Sequence, residues 1–331
     1  MPDLRLHDIV NQIAPVASAN DWFREYHREL SSPREIDKYD RYLADIFAFG
    51  GVSEIRGLKI LEAGCGFGLS LVWSALRGGD AYGIDIYQPM IKTIDRYRQI
   101  LPAELGSRIH AEVGDVAEMP FEDASFAVVV AIEAVSHYTE LDAFMREAAR
   151  VLQPGGVLII TDSNNALNPP TRRRKQEAYR TNELGPIVGP AAGVGVFTKP
   201  FVEKRQDLLR EHFAFDDATV ELLAERTSGL TRQRVLGAAE LYSETGELPN
   251  SWFDPSNAPV DPESDTVIER LIDPYAMGRA LRQAGFRRTR VQGYWGGASG
   301  KIHLRVANAA LARLARLAIW STPTFRIAAY R

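Results

Sequence analysis

Apolar residues recur along this chain in two rhythms, and the change from one to the other marks its organisation. Between residues 20 and 49, Trp22, Phe23, Tyr26 and Leu30 fall at helical spacing, as do Ile36, Tyr39, Leu43 and Phe47. Ser31, Ser32 and Pro33 break the two stretches. From Leu58 the pattern becomes short apolar runs: LKILEAG (58–64), AYGIDI (81–86), RIHAEVGD (108–115), FAVVVAIEA (126–134) and GVLIITDS (156–163). Amphipathic stretches at 69–77, 88–100 and 139–152 separate them. Strand runs alternating with helical crossovers predict an α/β protein with a doubly wound, mostly parallel sheet. Its crossovers are expected to be right-handed and its binding crevice to open at the carboxyl ends of the strands.

After Ser163 this rhythm lapses until Pro274. Asn168-Pro169-Pro170 predicts a turn that takes the chain out of the sheet, and helical patterns reappear between 201 and 245. An insertion of this length is expected to be a lid or substrate-binding segment. The sheet pattern resumes with a helix at 274–286 and strands at 288–295 and 324–330. The chain therefore divides into an N-terminal helical cap (1–57), a core (58–165), a mainly helical insertion (166–272) and a C-terminal part completing the sheet (273–331).

Composition narrows the class. The 331 residues are 45% hydrophobic and 25% charged, an ordinary globular balance. A formal net charge of −4 argues against a nucleic-acid partner. Cys65 is the only cysteine, so neither an internal disulfide nor a cysteine-built zinc site can form. Asp3, Asp8 and Asn11 interrupt the apolar stretch that a signal peptide needs, and no apolar run reaches membrane-spanning length. The expected location is the cytoplasm.

The sharpest local signal is Glu62-Ala-Gly64-Cys-Gly66-Phe-Gly68, directly after a strand and before a helix. Glycines there let the chain turn tightly and approach a ligand, while the helix start offers unpaired amides. Asp85 ends the next strand run, where a nucleotide-binding sheet places the carboxylate that accepts ribose hydroxyls.

At these residues, and through GDVAEMPFEDASFAVVV (114–130), RVLQPGGVLIITD (150–162) and the stretch 284–295, the sequence resembles the class I S-adenosylmethionine-dependent methyltransferases. The likeness is to the group that includes the ubiquinone and menaquinone methyltransferases. It departs at Ala127, where that family often has Asp, and in the long insertion. The resemblance implies a Rossmann-like, mostly parallel seven-stranded sheet with an antiparallel last strand, and a helical lid inserted into it. It further implies that Glu62, Gly64, Gly66 and Gly68 hold the methionine portion of S-adenosylmethionine. Asp85 would hold the ribose and Asp115 with Val116 the adenine, with Ile86 and Met119 flanking the ring.

Methyl transfer from a sulfonium is an in-line displacement that needs alignment, exclusion of water and, for a hydroxyl acceptor, a base. No metal is required. Candidates at the strand ends are Glu133, His137 and Tyr138 after the fourth run, and Asp162, Asn164 and Asn165 after the fifth. His137 is the natural base because imidazole titrates nearest neutrality; capping or packing at the following helix is its structural alternative. Arg172, Arg173 and Arg174, followed by Lys175, form either a solvated helix face or a site for an anionic group on the acceptor. Residues 301–320 read as an amphipathic helix that covers the domain, forms a homodimer contact or rests on a membrane surface.

The leading expectation is therefore a methyltransferase acting on a small, lipid-linked or carrier-linked acceptor, most readily at oxygen. The alternative is a non-catalytic cofactor-binding or membrane-associated scaffold with the same fold. A nicotinamide oxidoreductase would need the G-x-G-x-x-G spacing and a hydride-transfer residue set, which the sequence lacks.

Overall fold

A computed structural model describes residues 5–17, 32–186, 199–295 and 319–331. Seven strands form one sheet: β1 (Lys59–Ala63), β2 (Asp80–Asp85), β3 (Ile109–Val113), β4 (Phe126–Ile132), β5 (Leu152–Asp162), β6 (Arg288–Tyr294) and β7 (Thr324–Tyr330). Their order is β3-β2-β1-β4-β5-β7-β6. The pairs among β1 to β5 are parallel, and β7 runs antiparallel to both β5 and β6. The fold is the mostly parallel, Rossmann-like sheet with an antiparallel last strand.

Parallel strands covered on both faces are apolar almost throughout rather than alternating. In β4 the middle of FAVVVAI is buried, and in β7 all of TFRIAA is buried, its arginine included. β5 starts at Leu152, before the expected Gly156, because Leu152 pairs with Phe126 ahead of a register shift between Phe126 and Val128. The extra residues form a bulge that PGG chemistry accommodates.

The described residues divide into two compact units. The first holds those within Met1–Val135, Glu140–Asn168 and Asp273–Arg331. It contains the sheet together with α1 (Leu6–Ala17), α2 (Pro33–Phe49), α3 (Leu69–Leu76), α4 (Gln88–Ile100), the short α5 (Ala103–Gly106) and α6 (Leu141–Val151). α1 falls within the expected helical cap but ahead of the helical spacing that begins at Trp22; Leu6, Ile9, Val10, Ile13 and Ala17 give it one buried face. Ser32 and Pro33, which separate the two expected helices, initiate α2. Pro33 occupies its first turn and the Ser32 hydroxyl accepts a hydrogen bond from the Glu35 amide, satisfying an end group no helix can satisfy for itself. α2 is fixed to α3 where Trp73 Nε1 donates to Asp40 at 2.8 Å and the Phe47 and Trp73 rings lie 5.1 Å apart.

The second unit, Ser136–Thr139 with Pro169–Ile272, is helical in its described part. It holds α7 (Pro169–Leu184), α8 (Phe201–His212), α9 (Asp217–Arg226) and α10 (Arg232–Thr245). Asn168-Pro169-Pro170, expected as a turn, leads directly into α7, since proline is tolerated in a first helical turn whose amides lack partners anyway. The apolar centre is Leu208, Leu209, Val220, Leu223, Ala224, Val235 and Ala239. Beside it the fully buried Arg205 pairs with Glu183 and donates through Nε to the Ala224 carbonyl at 2.8 Å. α11 (Pro274–Gln283), capped by Asp273, then returns the chain to the first unit and β6.

The expected helix around Trp22–Leu30 and nearly all of the expected helix at 301–320 lie outside the described residues. No helix among the described residues is long and apolar enough to cross a membrane.

Candidate functional site

The strand order reverses between β2 and β4 on either side of β1, which is the position where a doubly wound sheet opens a crevice. The glycine loop leaves β1 there. Gly64, Gly66 and Gly68 have φ of +70°, +52° and +68°. A side chain is strained in that left-handed region, and at Gly68 a Cβ would also sit 2.8 Å from Ile94 Cδ1. The neighbouring strand matches this need: a Cβ on Gly83 would come within 2.7 Å of Cys65 Sγ, so the loop lies flat on β2 only because position 83 is glycine.

Asp85, at the end of β2, holds the loop in shape. Its Oδ2 accepts from the Gly66 amide at 2.8 Å and its Oδ1 from the Tyr87 amide at 2.9 Å. Glu62, only 4% exposed, accepts from the Ser70 hydroxyl on α3. Burial pushes the Glu62 carboxyl up to about 8; the Ser70 bond opposes this and the nearby Asp85 charge reinforces it. The Glu62 carboxyl, the Asp85 carboxylate and the glycine loop therefore share the crevice, where the Gly64 and Gly68 amides donate to the Ile84 and Cys65 carbonyls at 2.8 Å. Asp115 follows β3, exposed, with Oδ1 accepting from the Ala117 amide at 2.8 Å. Val116 and Met119 are buried in the same turn, whereas Ile86 is 73% exposed after β2. The Met119 amide donates to Glu147 on α6 at 2.7 Å.

After β4, Glu133 adopts a φ of +50°, uncommon for a residue with a side chain. Its amide donates to the Thr161 carbonyl at 2.8 Å and its carboxylate accepts from the Ser163 amide at 2.9 Å, so it joins the ends of β4 and β5. Asp162 is fully buried and accepts from both the amide and the Nδ2 of Asn164, at 2.9 and 3.0 Å. Asn165 is buried and donates to the Ile319 and Thr322 carbonyls, a structural duty.

His137 and Tyr138 belong to the second unit. His137 Nδ1 lies 3.1 Å from the Val267 carbonyl. A carbonyl only accepts, so in the neutral ring the proton sits on Nδ1 and Nε2 is the basic nitrogen. Arg270 ties the same turn down, donating to the Tyr138 carbonyl at 3.0 Å. Arg172, Arg173 and Arg174 are exposed on α7, while Lys175 is paired with Glu269. Among the described residues no group of three or more His, Cys, Asp or Glu side chains gathers as a metal site.

Residues 61–160, from β1 to β5, match the methyltransferase domain family. This segment is a class I S-adenosylmethionine-dependent methyltransferase domain. Three relatives extend the comparison. A fatty-acid O-methyltransferase of Mycolicibacterium smegmatis is 29% identical over 143 residues, 42% of this chain and 50% of the relative. A phthiotriol/phenolphthiotriol dimycocerosates methyltransferase of Mycobacterium ulcerans is 37% identical over 111 residues, 33% of this chain and 39% of the relative. The mitochondrial ubiquinone biosynthesis O-methyltransferase of Homo sapiens is 38% identical over 111 residues, 33% of this chain and 30% of the relative. The chain spans half or less of the length of each.

One group beside the methyltransferase crevice is not marked by any sequence motif. Tyr39 and Tyr42 on α2 are half-buried against the core, and their desolvation holds both hydroxyls well above the ordinary tyrosine range. The Glu133 charge pushes Tyr42 the same way and the Arg326 charge opposes it, which puts α2, the end of β4 and β7 around one point. Arg326, 3% exposed, pairs through Nη1 with Asp45 at 2.7 Å and lies 3.5 Å over the Tyr294 ring. Its signal in the sequence is the arginine inside the otherwise apolar strand TFRIAAY.

Proposed function

We propose that this protein transfers the methyl group of S-adenosylmethionine to an oxygen of a small or amphipathic acceptor that carries an anionic group. The observation that carries the reading is the cofactor side of the crevice. There a methyltransferase domain presents the Gly66 amide and Asp85 at 2.8 Å from one another, beside the buried carboxyl of Glu62. Glu62 and the Gly64, Gly66 and Gly68 backbone would hold the methionine end, with Glu62 facing its ammonium. Asp85 would exchange an amide partner for the ribose hydroxyls, Asp115 would accept from the adenine amino group, and Ile86, Val116 and Met119 would line the ring.

On the acceptor side, His137 is the proposed base through Nε2, with Glu133 and Asp162 as the other carboxylates of the strand ends. Tyr138, Asn164 and the arginines 172 to 174 are proposed to contact the acceptor. An oxygen acceptor is favoured by two of the three relatives, which are named as O-methyltransferases, and a lipid-like acceptor by the fatty-acid and dimycocerosate names. The chain division into cap (1–57), cofactor core (58–165), acceptor-binding insertion (166–272) and sheet completion (273–331) follows from this reading, as does a cytoplasmic location. For 301–320 the reading keeps a covering, homodimer or membrane-surface role.

The test incubates the full chain with methyl-labelled S-adenosylmethionine and a panel of hydroxylated lipids, quinols and fatty acids. Label recovered in an acid-stable or ester-linked product supports the proposal. Cofactor bound with no product from any acceptor class favours the non-catalytic scaffold.

A further inference from the structure

Arg326 sits in the middle of β7, opposite Thr161 of β5 and Gln292 of β6. A guanidinium buried in a sheet is costly unless its donors are paired. Here only part of it is. Nη1 donates to Asp45, while Nε and Nη2 are both buried and have no hydrogen-bond partner. Those two nitrogens share one edge of the planar group, and their N–H bonds point the same way, the fork that matches the two oxygens of a carboxylate. Two aromatic rings lie close to it, with centroids 3.5 Å (Tyr294) and 5.8 Å (Tyr42) from the guanidinium carbon. Asp45 and the rings thus orient the group and leave the in-plane fork as its unsatisfied side.

We propose that the Nε–Nη2 edge of Arg326 is the recognition point for a carboxylate on the methyl acceptor. The inference rests on the methyltransferase reading for the word acceptor, and on Arg326 alone for the carboxylate. The carboxylate of the cofactor is a poor occupant. β7 is separated from β1 by β4 and β5, about 14 Å at ordinary strand spacing, whereas the cofactor loop leaves β1 and rests on β2. Arg326 instead lies beside the carboxyl end of β5, next to Thr161, on the acceptor half of the sheet. Asp45 leaves room for a second anion because its own carboxylate is half exposed and screened by water.

The experiment titrates the full chain, with S-adenosylhomocysteine bound, with saturated straight-chain carboxylates and benzoates, each beside its primary amide. An amide has the same shape but no charge and only one acceptor oxygen. The wild type is expected to prefer at least one carboxylate over its amide by about 10- to 100-fold. Arg326→Gln is expected to lose that preference while keeping the wild-type affinity for S-adenosylhomocysteine. Arg326→Lys retains a buried charge beside Asp45 but not the fork, and is expected to lose most of the preference; it serves if the glutamine variant fails to fold. A carboxylate preference that survives in either folded variant overturns the proposal, as does a wild type that treats every carboxylate and amide alike. Weakened S-adenosylhomocysteine binding in a folded variant would also overturn it, by assigning Arg326 to the cofactor. A chain that shows the Arg326-dependent preference yet transfers no methyl group would keep the carboxylate site and remove only the methyltransferase reading.

Discussion

If Glu62 meets the ammonium of the cofactor as proposed, its carboxyl couples protonation to cofactor binding. Its value of about 8 in the folded chain lies far above the 4.5 it has when exposed, so the fold holds it as the neutral acid at pH 6.5. The stability this contributes is full below about 4.5 and is lost as pH rises through about 8. The ammonium of the cofactor favours the carboxylate instead, so binding at pH 6.5 should release about one proton. Calorimetry in buffers of different ionisation enthalpy measures this directly. Glu62→Gln should abolish the release and weaken the cofactor by about 10- to 100-fold; an unchanged proton count would remove Glu62 from the site. His137 makes a separate prediction. If Nε2 takes the acceptor proton, His137→Ala should lower turnover by about 10²- to 10⁴-fold and leave cofactor affinity alone. Wild-type turnover in that variant would pass the role to Glu133, Asp162 or alignment alone.

The elements differ in what holds them. The loop between β1 and α3 depends on backbone shape, which is why positive φ at three glycines, and a glycine beneath them at position 83, accompany the Asp85 bond to the Gly66 amide. α7, α8 and α9 depend on a charge pair: Arg205 and Glu183 are both essentially inaccessible and face one another beside the apolar centre of the unit. Removing one partner strands the other charge, so Glu183→Ala should destabilise the second unit by about 3–5 kcal/mol, while replacing both by Met and Leu should cost much less. Chemical denaturation followed by helical circular dichroism compares the two; equal losses would show that packing, and not the buried pair, holds these helices together.

For the whole molecule, a net charge of −4 makes any cluster of cations a local exception that salt can screen. Arg172, Arg173 and Arg174 stand exposed on α7, and Lys175 beside them is already paired. If they draw in an anionic acceptor, converting all three to Gln should raise the acceptor Michaelis constant several-fold at low ionic strength, with the difference fading as salt is added. Equal kinetics at low salt would make them a solvated helix face. The salt series also separates them from Arg326, whose buried fork is little screened, so its contribution should persist at high salt.

Local chemistry in the sequence determined the sheet, its crossovers and the loop-plus-carboxylate pairing of Gly64, Gly66, Gly68 and Asp85. Each of these depends on neighbours in the chain: apolar runs long enough for a buried strand, glycines where a turn must tighten, an acid at the next strand end. What the tertiary structure decided depends on residues far apart. The bounds of α1 within the helical cap are such a case, because a twelve-residue amphipathic stretch becomes a helix only when something covers its apolar face. Glu62 was legible as a cofactor candidate only through the resemblance, and its raised titration follows first from burial and then from the nearby Asp85 charge, which no spacing reveals. Arg326 was the least legible, since Asp45 lies 281 positions away and the ring over which it stacks belongs to another strand. A buried charge is read as functional only when its partners can be counted, and counting them requires the folded chain.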